Sequence, residues 1–364
     1  MLKNLIILLM VVACVLAAKD SEDSKQRENR HKKRFDSHLR KHGKRYDSLP
    51  EEVRTRRREN YMKNLDFIEK HNKDPKNKFQ LGSNEYSDRD TQRFVDDMCR
   101  TKLPPMARAL PLPPSIYATT TAARVAVDWR TQYTQDVVNQ GACGSCWAFA
   151  TASTIGKIIK DEFLNFINFV ILIEAFNEIR GRGKTAISQQ NIVDCDTVDY
   201  GCGGGWPKSS FDFLKNTYGN KIATAMNYAY TSGSTQAAGS CKVAPYVPLN
   251  YTSTFQFLIN GNAAALKQII SNYGPVAIAM YVSPSGLFQN YKTGIFTDPD
   301  CPVTGTNLCY TVNHGMVAVG YGSTAGQEYF IIRNSWGSTW GEGGYMRMAM
   351  GNTCNVACWA MGVE

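Results

Sequence analysis

The sequence predicts an α+β protein in which a charged helical segment precedes a larger, cysteine-rich domain. Three observations support this division of the 364 residues. The net charge of +9 lies in the N-terminal third, since residues 19–102 hold 24 basic and 17 acidic side chains, whereas the chain from Ala109 onward is balanced. Proline and small residues then dominate residues 103–122, which is typical of an exposed linker. A set of motifs after residue 123, described below, determines the class of the larger domain, whose length can bury a substantial core.

The first 18 residues have the features of a secretory signal peptide. Lys3 supplies the positive end, residues 5–16 form the apolar run, and residues 15–18 resemble a small-residue cleavage site. The apolar run is shorter than the ~20 residues that a helix needs to span a bilayer, and a membrane anchor is the alternative interpretation. Export would bring the chain into an oxidising compartment where disulfides form. We therefore expect a lysosomal or extracellular protein.

The charged segment that follows contains the pattern of an amphipathic helix. Arg57, Tyr61, Asn64, Ile68 and Asn72 recur at spacings of three and four residues, so they share one helix face. A basic segment can bind nucleic acid or another polyanion, but this internal pattern favours a removable helical prosegment. A plain amphipathic helix is the simplest alternative for residues 50–72. We expect no nucleic-acid partner.

Four residues of the larger domain have the chemistry of nucleophilic catalysis. Cys146 lies in QGACGSCWAF, His314 is the one histidine after the N-terminal segment, and Asn334 follows in RNSWG. A thiol attacks as its thiolate, which an imidazolium and a helix N-terminus both stabilise. A side-chain amide can orient the imidazole, and Gln140 with the Cys146 backbone N–H could donate to a developing oxyanion. The sequence therefore predicts a cysteine hydrolase.

These residues and the segments around them resemble the papain-like cysteine peptidases. CGSCW at residues 143–147 has the form of the family signature, and further matching segments are SQQNIVDCD, YGCGGGWP, GPVAIAM, NHGMVAVGYG and RNSWGSTWGEGGYMR. The helix face at 57–72 resembles the ERFNIN prosegment motif, although Val53 stands at its first position and the acid is one residue early. GSNEYSD at 82–88 resembles the second prosegment motif, G-x-N-x-F-x-D.

The resemblance implies a cathepsin L-like zymogen with a helical left subdomain and a β-barrel-like right subdomain. It implies a signal peptide at 1–18, a propeptide and linker at 19–122, and a mature peptidase at 123–364. The propeptide would run through the active-site cleft backwards and inhibit the enzyme. We expect protein or peptide substrates, a monomer, and neither a cofactor nor a metal. A non-catalytic homologue that only binds proteins and a Cys-His acyltransferase are the competing function classes.

The resemblance also implies the residues that bind substrate. Gly204 and Gly205 lack a Cβ that would block a substrate strand from pairing with the backbone, although a tight loop beside a disulfide would also explain them. Trp336 would shield the His314–Asn334 hydrogen bond from water. The second substrate pocket would be lined by Trp206, Pro207, Ala279, Val312, Gly315 and Trp359. If Trp359 closes the floor of that pocket, bulky side chains would fit poorly. No histidine-bearing loop that could block the cleft is visible, which favours an endopeptidase.

Cysteine arithmetic predicts four disulfides and one free thiol in the mature domain. Of the eleven cysteines, Cys14 and Cys99 precede residue 123, which leaves nine. The resemblance implies the pairs Cys143–Cys202 and Cys195–Cys241. The pairing of the other four stays open: Cys301, Cys309, Cys354 and Cys358. A zinc site is the alternative use of so many cysteines, but only one histidine is available to share it.

One segment, residues 156–173, is an insertion relative to the plan that the resemblance implies. Eleven of its eighteen residues are Ile, Leu, Phe or Val. As a helix it would make five turns and extend its neighbour by ~27 Å, so it would have to leave the fold or break it. We hypothesise that it is a translated, unspliced intron whose product folds poorly; a surface or membrane-touching loop is the alternative. Separately, Asn250 begins an N-glycosylation sequon.

Overall fold

The computed structural model describes residues 24–43, 46, 48–104, 109–112, 125–130, 137–165, 186–249, 251–302 and 308–364. Four features predicted from the sequence therefore lie outside the described residues. They are the signal peptide, the start of the mature domain near residue 123, the second half of the insertion after residue 165, and the sequon residue Asn250.

The helices fall into an N-terminal set and a set within the larger domain. The N-terminal set comprises α1 (24–41), α2 (Glu51–Lys73) and α3 (Thr91–Met98). The larger domain contains α4 (Cys146–Asn165), α5 (Gln189–Cys195), α6 (Pro207–Asn216), the single turn α7 (Ser232–Thr235) and α8 (Ala263–Tyr273). Side-chain caps fix the start of several of them. Asp90 accepts from the Arg93 N–H at α3, and Asn262 accepts from the Ala265 N–H at α8, which satisfies donors that a helix start leaves unpaired.

The strands form one large sheet and a separate hairpin-like pair. In chain order they are β1 (Phe79–Leu81), β2 (Val127–Asp128), β3 (Lys221–Ala223), β4 (Tyr246–Pro248), β5 (Thr254–Leu258), β6 (Val276–Met280), β7 (Tyr291–Phe296), β8 (His314–Thr324), β9 (Gln327–Arg333), β10 (Tyr345–Ala349) and β11 (Trp359–Val363). The large sheet has the order β1-β7-β10-β9-β8-β6-β11-β5, with β2 paired to β8, while β3 pairs with β4. All of these pairs are antiparallel except β7 with β10.

This arrangement confirms the predicted α+β class. Among the described strands the sheet has two ends, β1 and β5, because no ladder joins them. The right subdomain is therefore an open sheet rather than a closed barrel, and β-barrel-like describes it only loosely. One of its edge strands, β1, comes from the N-terminal segment and pairs with β7.

Two hydrophobic cores hold the larger domain together. In one, the start of α4 packs against α6 and the sheet through buried residues that include Trp147, Trp206 and Trp359. In the other, the sheet packs against α8 and against side chains of the N-terminal segment, among them Phe94 and Met98. The N-terminal segment therefore shares a core with the peptidase-like domain instead of lying apart from it.

Polar contacts fix the same interface. Asn84 donates to the Gln289 carbonyl at 2.8 Å, and the Tyr86 hydroxyl donates to Asn139 at 2.7 Å. Asn64 of the predicted helix face donates to the Ser87 carbonyl at 2.8 Å. Asn64 and Asn84 are buried, so the loss of its partner would leave either side chain with an unsatisfied polar group. The second prosegment motif, which contains Asn84 and Tyr86, therefore contacts the larger domain directly. The helix face that contains Asn64 holds this motif in place through the Ser87 carbonyl.

The structure contains four disulfides among the described residues. Two are the pairs that the resemblance implies, Cys143–Cys202 and Cys195–Cys241. The four cysteines whose pairing the sequence leaves open are joined as Cys301–Cys354 and Cys309–Cys358.

Helix α4 continues through the first ten residues of the predicted insertion, to Asn165. In the described part of the chain, no helix has the length and apolar character that a membrane crossing requires.

Candidate active site

The predicted nucleophile is the first residue of a helix. Cys146 begins α4, where the N–H groups of Ala148 and Phe149 both bond to the Ser145 carbonyl. The disulfide Cys143–Cys202 anchors the turn just before it. The partial positive charge of a helix N-terminus stabilises a thiolate at this position, and Cys146 is fully buried.

The predicted base and its orienting amide come from neighbouring strands. His314 is the first residue of β8, opposite Met280, and Asn334 directly follows β9. The two side chains meet at 2.9 Å between His314 Nε2 and Asn334 Oδ1. The same Oδ1 accepts the Ser335 N–H at 2.8 Å, which identifies it as the amide oxygen. Nε2 therefore carries a proton, and Nδ1 is the nitrogen left for the thiol.

Aromatic rings enclose this hydrogen bond. Trp336 is fully buried, and its ring centroid lies 5.0 Å from that of His314. Phe288 approaches His314 at 6.1 Å and Trp336 at 5.2 Å. Excluding water strengthens an electrostatic contact such as this one, so the predicted shielding position of Trp336 agrees with where the ring lies.

The thiol and the imidazole shift each other's protonation in opposite directions. Burial alone would raise the pKa of the Cys146 thiol, but its interaction with the neighbouring His314 imidazole lowers it to about 7. Burial alone would lower the pKa of the His314 imidazole, but the neighbouring thiols of Cys99 and Cys146 raise it well above its ordinary value. Both shifts favour a thiolate–imidazolium pair over two neutral groups.

Gln140, which the sequence predicts as an oxyanion donor, is buried and held by hydrogen bonds at both ends of its amide. Its Oε1 accepts from Ser335 Oγ at 2.6 Å and from Trp336 Nε1 at 3.2 Å, which fixes Nε2 as the donor end. Nε2 donates to the Cys143 carbonyl at 2.8 Å and to the Met98 carbonyl at 3.0 Å. Met98 belongs to the N-terminal segment. A backbone carbonyl of that segment thus occupies the donor that a substrate oxyanion would need.

The two predicted substrate-binding glycines pair with the N-terminal segment. The Gly205 N–H donates to the Arg100 carbonyl at 3.2 Å, and the Lys102 N–H donates to the Gly205 carbonyl at 2.9 Å. This bridge between Thr101 and Gly205 is parallel. A Cβ on Gly204, whose φ is +112°, would lie 2.1 Å from the Arg100 oxygen, so only glycine permits this approach.

The residues predicted to line the second substrate pocket lie next to one another, and most of them are buried. Ala279 of β6 lies between Gly315 of β8 and Trp359 of β11. The rings of Trp206 and Trp359 cross edge to face at 5.7 Å. The same core is contacted by the partly buried Val312 and by Leu103 of the N-terminal segment, and Pro207 begins α6 beside it.

Two site residues were missed by the sequence reasoning. Thr101 Oγ1 lies 3.2 Å from Cys146 Sγ, and a buried thiol, Cys99, is close enough to His314 for the two groups to shift each other's pKa. The sequence did draw attention to Cys99, because it is a single cysteine in the N-terminal segment, four residues before the proline-rich linker begins. Its proximity to His314 depends on the path of the chain through the cleft, which no local pattern encodes.

One group among the described residues has the donor types of a metal site. It consists of Asp298, Cys301 and Cys354. The two cysteines form a disulfide with each other, and Asp298 accepts hydrogen bonds from Ser283 and Ser285. Disulfide sulfurs are not thiolate ligands, so this group offers no suitable set for a metal ion.

Comparison with protein-family models finds two matches along the chain. The model described as papain family cysteine protease matches residues 123–169 and 168–363. The model described as cathepsin propeptide inhibitor domain (I29) matches residues 35–94. The two segments of the first match overlap at residues 168–169, inside the predicted insertion.

Individual proteins and structures give the same result. The chain is 32% identical to ananain of Ananas comosus over 319 residues, which covers 87% of this chain and 81% of ananain. It is 30% identical to mouse (Mus musculus) cathepsin K over 329 residues, 86% of this chain and 88% of cathepsin K. The solved structure of digestive procathepsin L 3 from the larval midgut of Tenebrio molitor superposes with a TM-score of 0.73 at 27% identity, over 92% of this chain and 98% of that one.

Proposed function

The chain belongs to the papain family of cysteine proteases and is the zymogen of a cysteine endopeptidase, and we propose that Cys146, His314 and Asn334 carry its reaction. The observation that supports this assignment most strongly is the buried thiol at a helix N-terminus, beside an imidazole whose far nitrogen is held by an amide oxygen. This arrangement, with the lowered pKa of Cys146 and the raised pKa of His314, supports a thiolate–imidazolium pair that could accept an acyl group.

Acylation begins with attack of the Cys146 thiolate on a peptide carbonyl. The carbon–sulfur bond forms, and the carbonyl oxygen becomes an oxyanion. His314, protonated in the resting pair, then gives its proton to the leaving amine as the carbon–nitrogen bond breaks. Asn334 holds the ring in the orientation needed for both steps, and Trp336 keeps water from its hydrogen bond.

Deacylation uses the same residues in the opposite direction. Neutral His314 takes a proton from water, and the resulting nucleophile attacks the thioester carbonyl. Cys146 leaves as a thiolate, and the resting pair is restored. No metal or cofactor takes part in these steps.

Gln140 and the backbone N–H of Cys146 would stabilise the oxyanion. Because Ser335 and Trp336 hold the Gln140 oxygen, the amide nitrogen is already aimed at the cleft. Preorganised donors of this kind lower the barrier without reorganising during the reaction.

Latency follows from the propeptide occupying each of these groups. Residues 98–102 take the oxyanion donor, the glycine strand and a contact with Cys146. The propeptide pairs parallel with the strand at Gly205. A substrate that pairs antiparallel with the same strand would therefore run through the cleft in the opposite chain direction. Such a segment inhibits without presenting a peptide bond in the cleavable direction.

Substrate preference would be set by the tryptophan pair of the second pocket. Trp359 is fully buried, and its Nε1 donates to the Cys309 carbonyl at 2.6 Å. The neighbouring disulfide Cys309–Cys358 holds its backbone. A ring fixed in this way leaves little space for large side chains, so we expect small residues to be preferred in the second pocket.

The remaining assignments concern processing and location. Residues 1–18 would direct the chain into the secretory pathway, towards a lysosome-like compartment or the extracellular space, and Asn250 would be available for glycosylation. Cleavage near residue 123 would release the mature enzyme as a monomer. The family match is divided into two segments whose junction, at residues 168–169, lies within 156–173, and this division supports an insertion there.

The experiment that tests this function compares the chain with and without residues 156–173. Both forms are expressed as zymogens, acidified under reducing conditions and assayed for self-processing and peptide cleavage. The form joining Ile155 to Glu174 is expected to process itself and to cleave peptides. A folded, processed chain without peptide cleavage would favour the non-catalytic binding protein, and sequencing of the transcript would decide whether the insertion is spliced out.

A further inference from the structure

Two cysteines of the described chain are not in disulfides, and they lie at one place. Of the ten cysteines in the described residues, eight form the four disulfides, and the remaining thiols are Cys99 and Cys146. One belongs to the propeptide and the other is the proposed nucleophile. Both interact with the imidazole of His314.

The backbone on both sides of Cys99 is anchored to the cleft. On one side the Met98 carbonyl accepts from Gln140 Nε2 at 3.0 Å. On the other side the Thr101 N–H donates to the Asn313 carbonyl at 2.8 Å, one residue before His314. Cys99 is 7% exposed and Cys146 is not exposed at all. The propeptide thiol is therefore held beside the catalytic pair rather than passing near it in a mobile tail.

His314 can serve both thiols. Its Nε2 is committed to Asn334, while its buried Nδ1 has no hydrogen-bond partner among the described residues. Burial raises the pKa of the Cys99 thiol, and interaction with His314 opposes that rise. The ring is thus placed to take the proton from Cys99 when that thiol reacts.

We propose that Cys99 and Cys146 are a disulfide cross-link site, at which oxidation joins the propeptide to the catalytic sulfur of the zymogen. The inference rests on the proposed role of Cys146 as the nucleophile. The co-reactant is a small-molecule disulfide such as glutathione disulfide, and the bond is reversed by a thiol or phosphine reductant.

The exchange balances in two steps. When the propeptide has transiently left the cleft, the Cys146 thiolate attacks one sulfur of the small disulfide, whose S–S bond breaks, and a mixed disulfide is left on Cys146. The released thiolate takes the proton of the His314 imidazolium, so the ring becomes neutral. After the propeptide returns to the cleft, Cys99 gives its proton to the neutral His314 and attacks the Cys146 sulfur, which expels the second thiolate, and that thiolate takes the proton from His314. Two protein thiols lose two electrons in total, and the small disulfide is reduced to two thiols. The two side chains turn towards each other to reach the ~2.05 Å S–S bond length.

The local chemistry favours this cross-link over a lasting mixed disulfide. The lowered pKa of Cys146 makes it the first thiol to attack. The anchored Cys99 then resolves the adduct in an intramolecular step, at an effective concentration that a free thiol does not reach. The cross-link would add a covalent restraint to the non-covalent inhibition by the propeptide. After cleavage of the propeptide backbone, the fragment would stay attached to Cys146 until a reductant broke the disulfide.

The test uses the full-length zymogen, equilibrated with glutathione disulfide and then alkylated with iodoacetamide under denaturing conditions. Peptide mapping of the wild type is expected to find a Cys99–Cys146 cross-linked peptide and no alkylation at either residue. After limited proteolysis of the linker, the propeptide fragment should stay attached to the mature domain until a phosphine is added. The matched variant Cys99→Ser should instead carry one glutathione on Cys146 and release its fragment without reductant.

Alkylation of both thiols in the oxidised wild type would overturn the proposal. So would a glutathione adduct on Cys146 of the wild type in place of the cross-link. These readouts come from the wild-type chain and do not depend on how well the variant folds. Peptide cleavage by the reduced, acid-processed wild type is measured in parallel, so that failure of the cross-link and failure of the peptidase assignment give different results.

Discussion

Phe94 of the propeptide is the residue whose removal should most clearly weaken zymogen latency. It lies in α3 and is fully buried. Its ring meets Trp336 edge to face at 4.7 Å and Tyr86 of the propeptide at 5.2 Å. Trp336 is the ring that covers His314, so this contact couples propeptide docking to the catalytic pair.

The size of the effect of Phe94→Ala follows from these contacts. Truncating a buried phenylalanine costs about 3–5 kcal/mol. Part of this cost does not affect docking, because the contact between Phe94 and Tyr86 lies within the propeptide and persists when the propeptide leaves the cleft. We therefore take ~3 kcal/mol for the docking equilibrium, which corresponds to about a 100-fold larger population of undocked zymogen.

The assay is the rate at which a thiol-directed epoxide labels Cys146 in the intact zymogen, at neutral pH under reducing conditions. Labelling requires undocking, so Phe94→Ala should react about 100-fold faster than the wild type. The control is Gln92→Ala on the same helix, because the exposed Gln92 side chain donates to Asp96 of that helix and its loss should leave the rate unchanged. A Phe94→Ala zymogen that is folded and reacts within a few-fold of the wild-type rate would refute the docking argument.

Four further outcomes are expected. Asn334→Ala should lower kcat/KM by about 10- to 100-fold, because a hydrogen bond to a charged group contributes ~1.5–3 kcal/mol; an unchanged value would remove the orienting role. In the reduced zymogen, the ultraviolet absorbance of the thiolate should titrate with a midpoint near the Cys146 pKa of about 7. His314→Ala should move that midpoint above the ordinary thiol value of ~8.5, because burial remains, and Cys146→Ser provides the baseline. Burial and a neighbouring carboxylate raise the pKa of Asp199 to about 7, so its ionisation should reduce stability as the pH rises from ~4 through about 7. Asp199→Asn, which mimics the protonated form, should flatten the pH dependence of Tm over that range, and an unchanged slope would contradict this. Trp359→Ala should raise kcat/KM for peptides with a large apolar residue in the second pocket by at least ~10-fold, with Trp359→Phe in between; a folded variant of unchanged preference would place the ring elsewhere.

Local sequence was sufficient to identify the proposed catalytic groups. Cys146, His314 and Asn334 each lie in a short motif with few chemical alternatives, and the sequence contained one histidine that could act as the base. The α+β class and the inhibitory propeptide could be predicted from motifs in the same way, and both are confirmed. These groups could be predicted to lie together without knowledge of individual tertiary contacts, because the motifs already imply the fold.

The features that could not be predicted depend on tertiary paths. Strand β1 is three residues long, too short to show a periodic pattern, and it exists because β7 offers it an edge. The second pair of disulfides had no local signal, because Cys301 and Cys309 could each reach either later cysteine along the chain. Cys99 was likewise placed beside His314 by the route of the propeptide through the cleft.

The most direct test of the catalytic assignment is active-site titration of the acid-processed, reduced enzyme with a thiol-directed epoxide. One equivalent should attach to Cys146, peptide cleavage should fall in proportion to the label, and Cys146→Ala should show neither labelling nor cleavage. Peptide cleavage that persists in folded Cys146→Ala, or full labelling of Cys146 that leaves cleavage intact, would contradict the assignment.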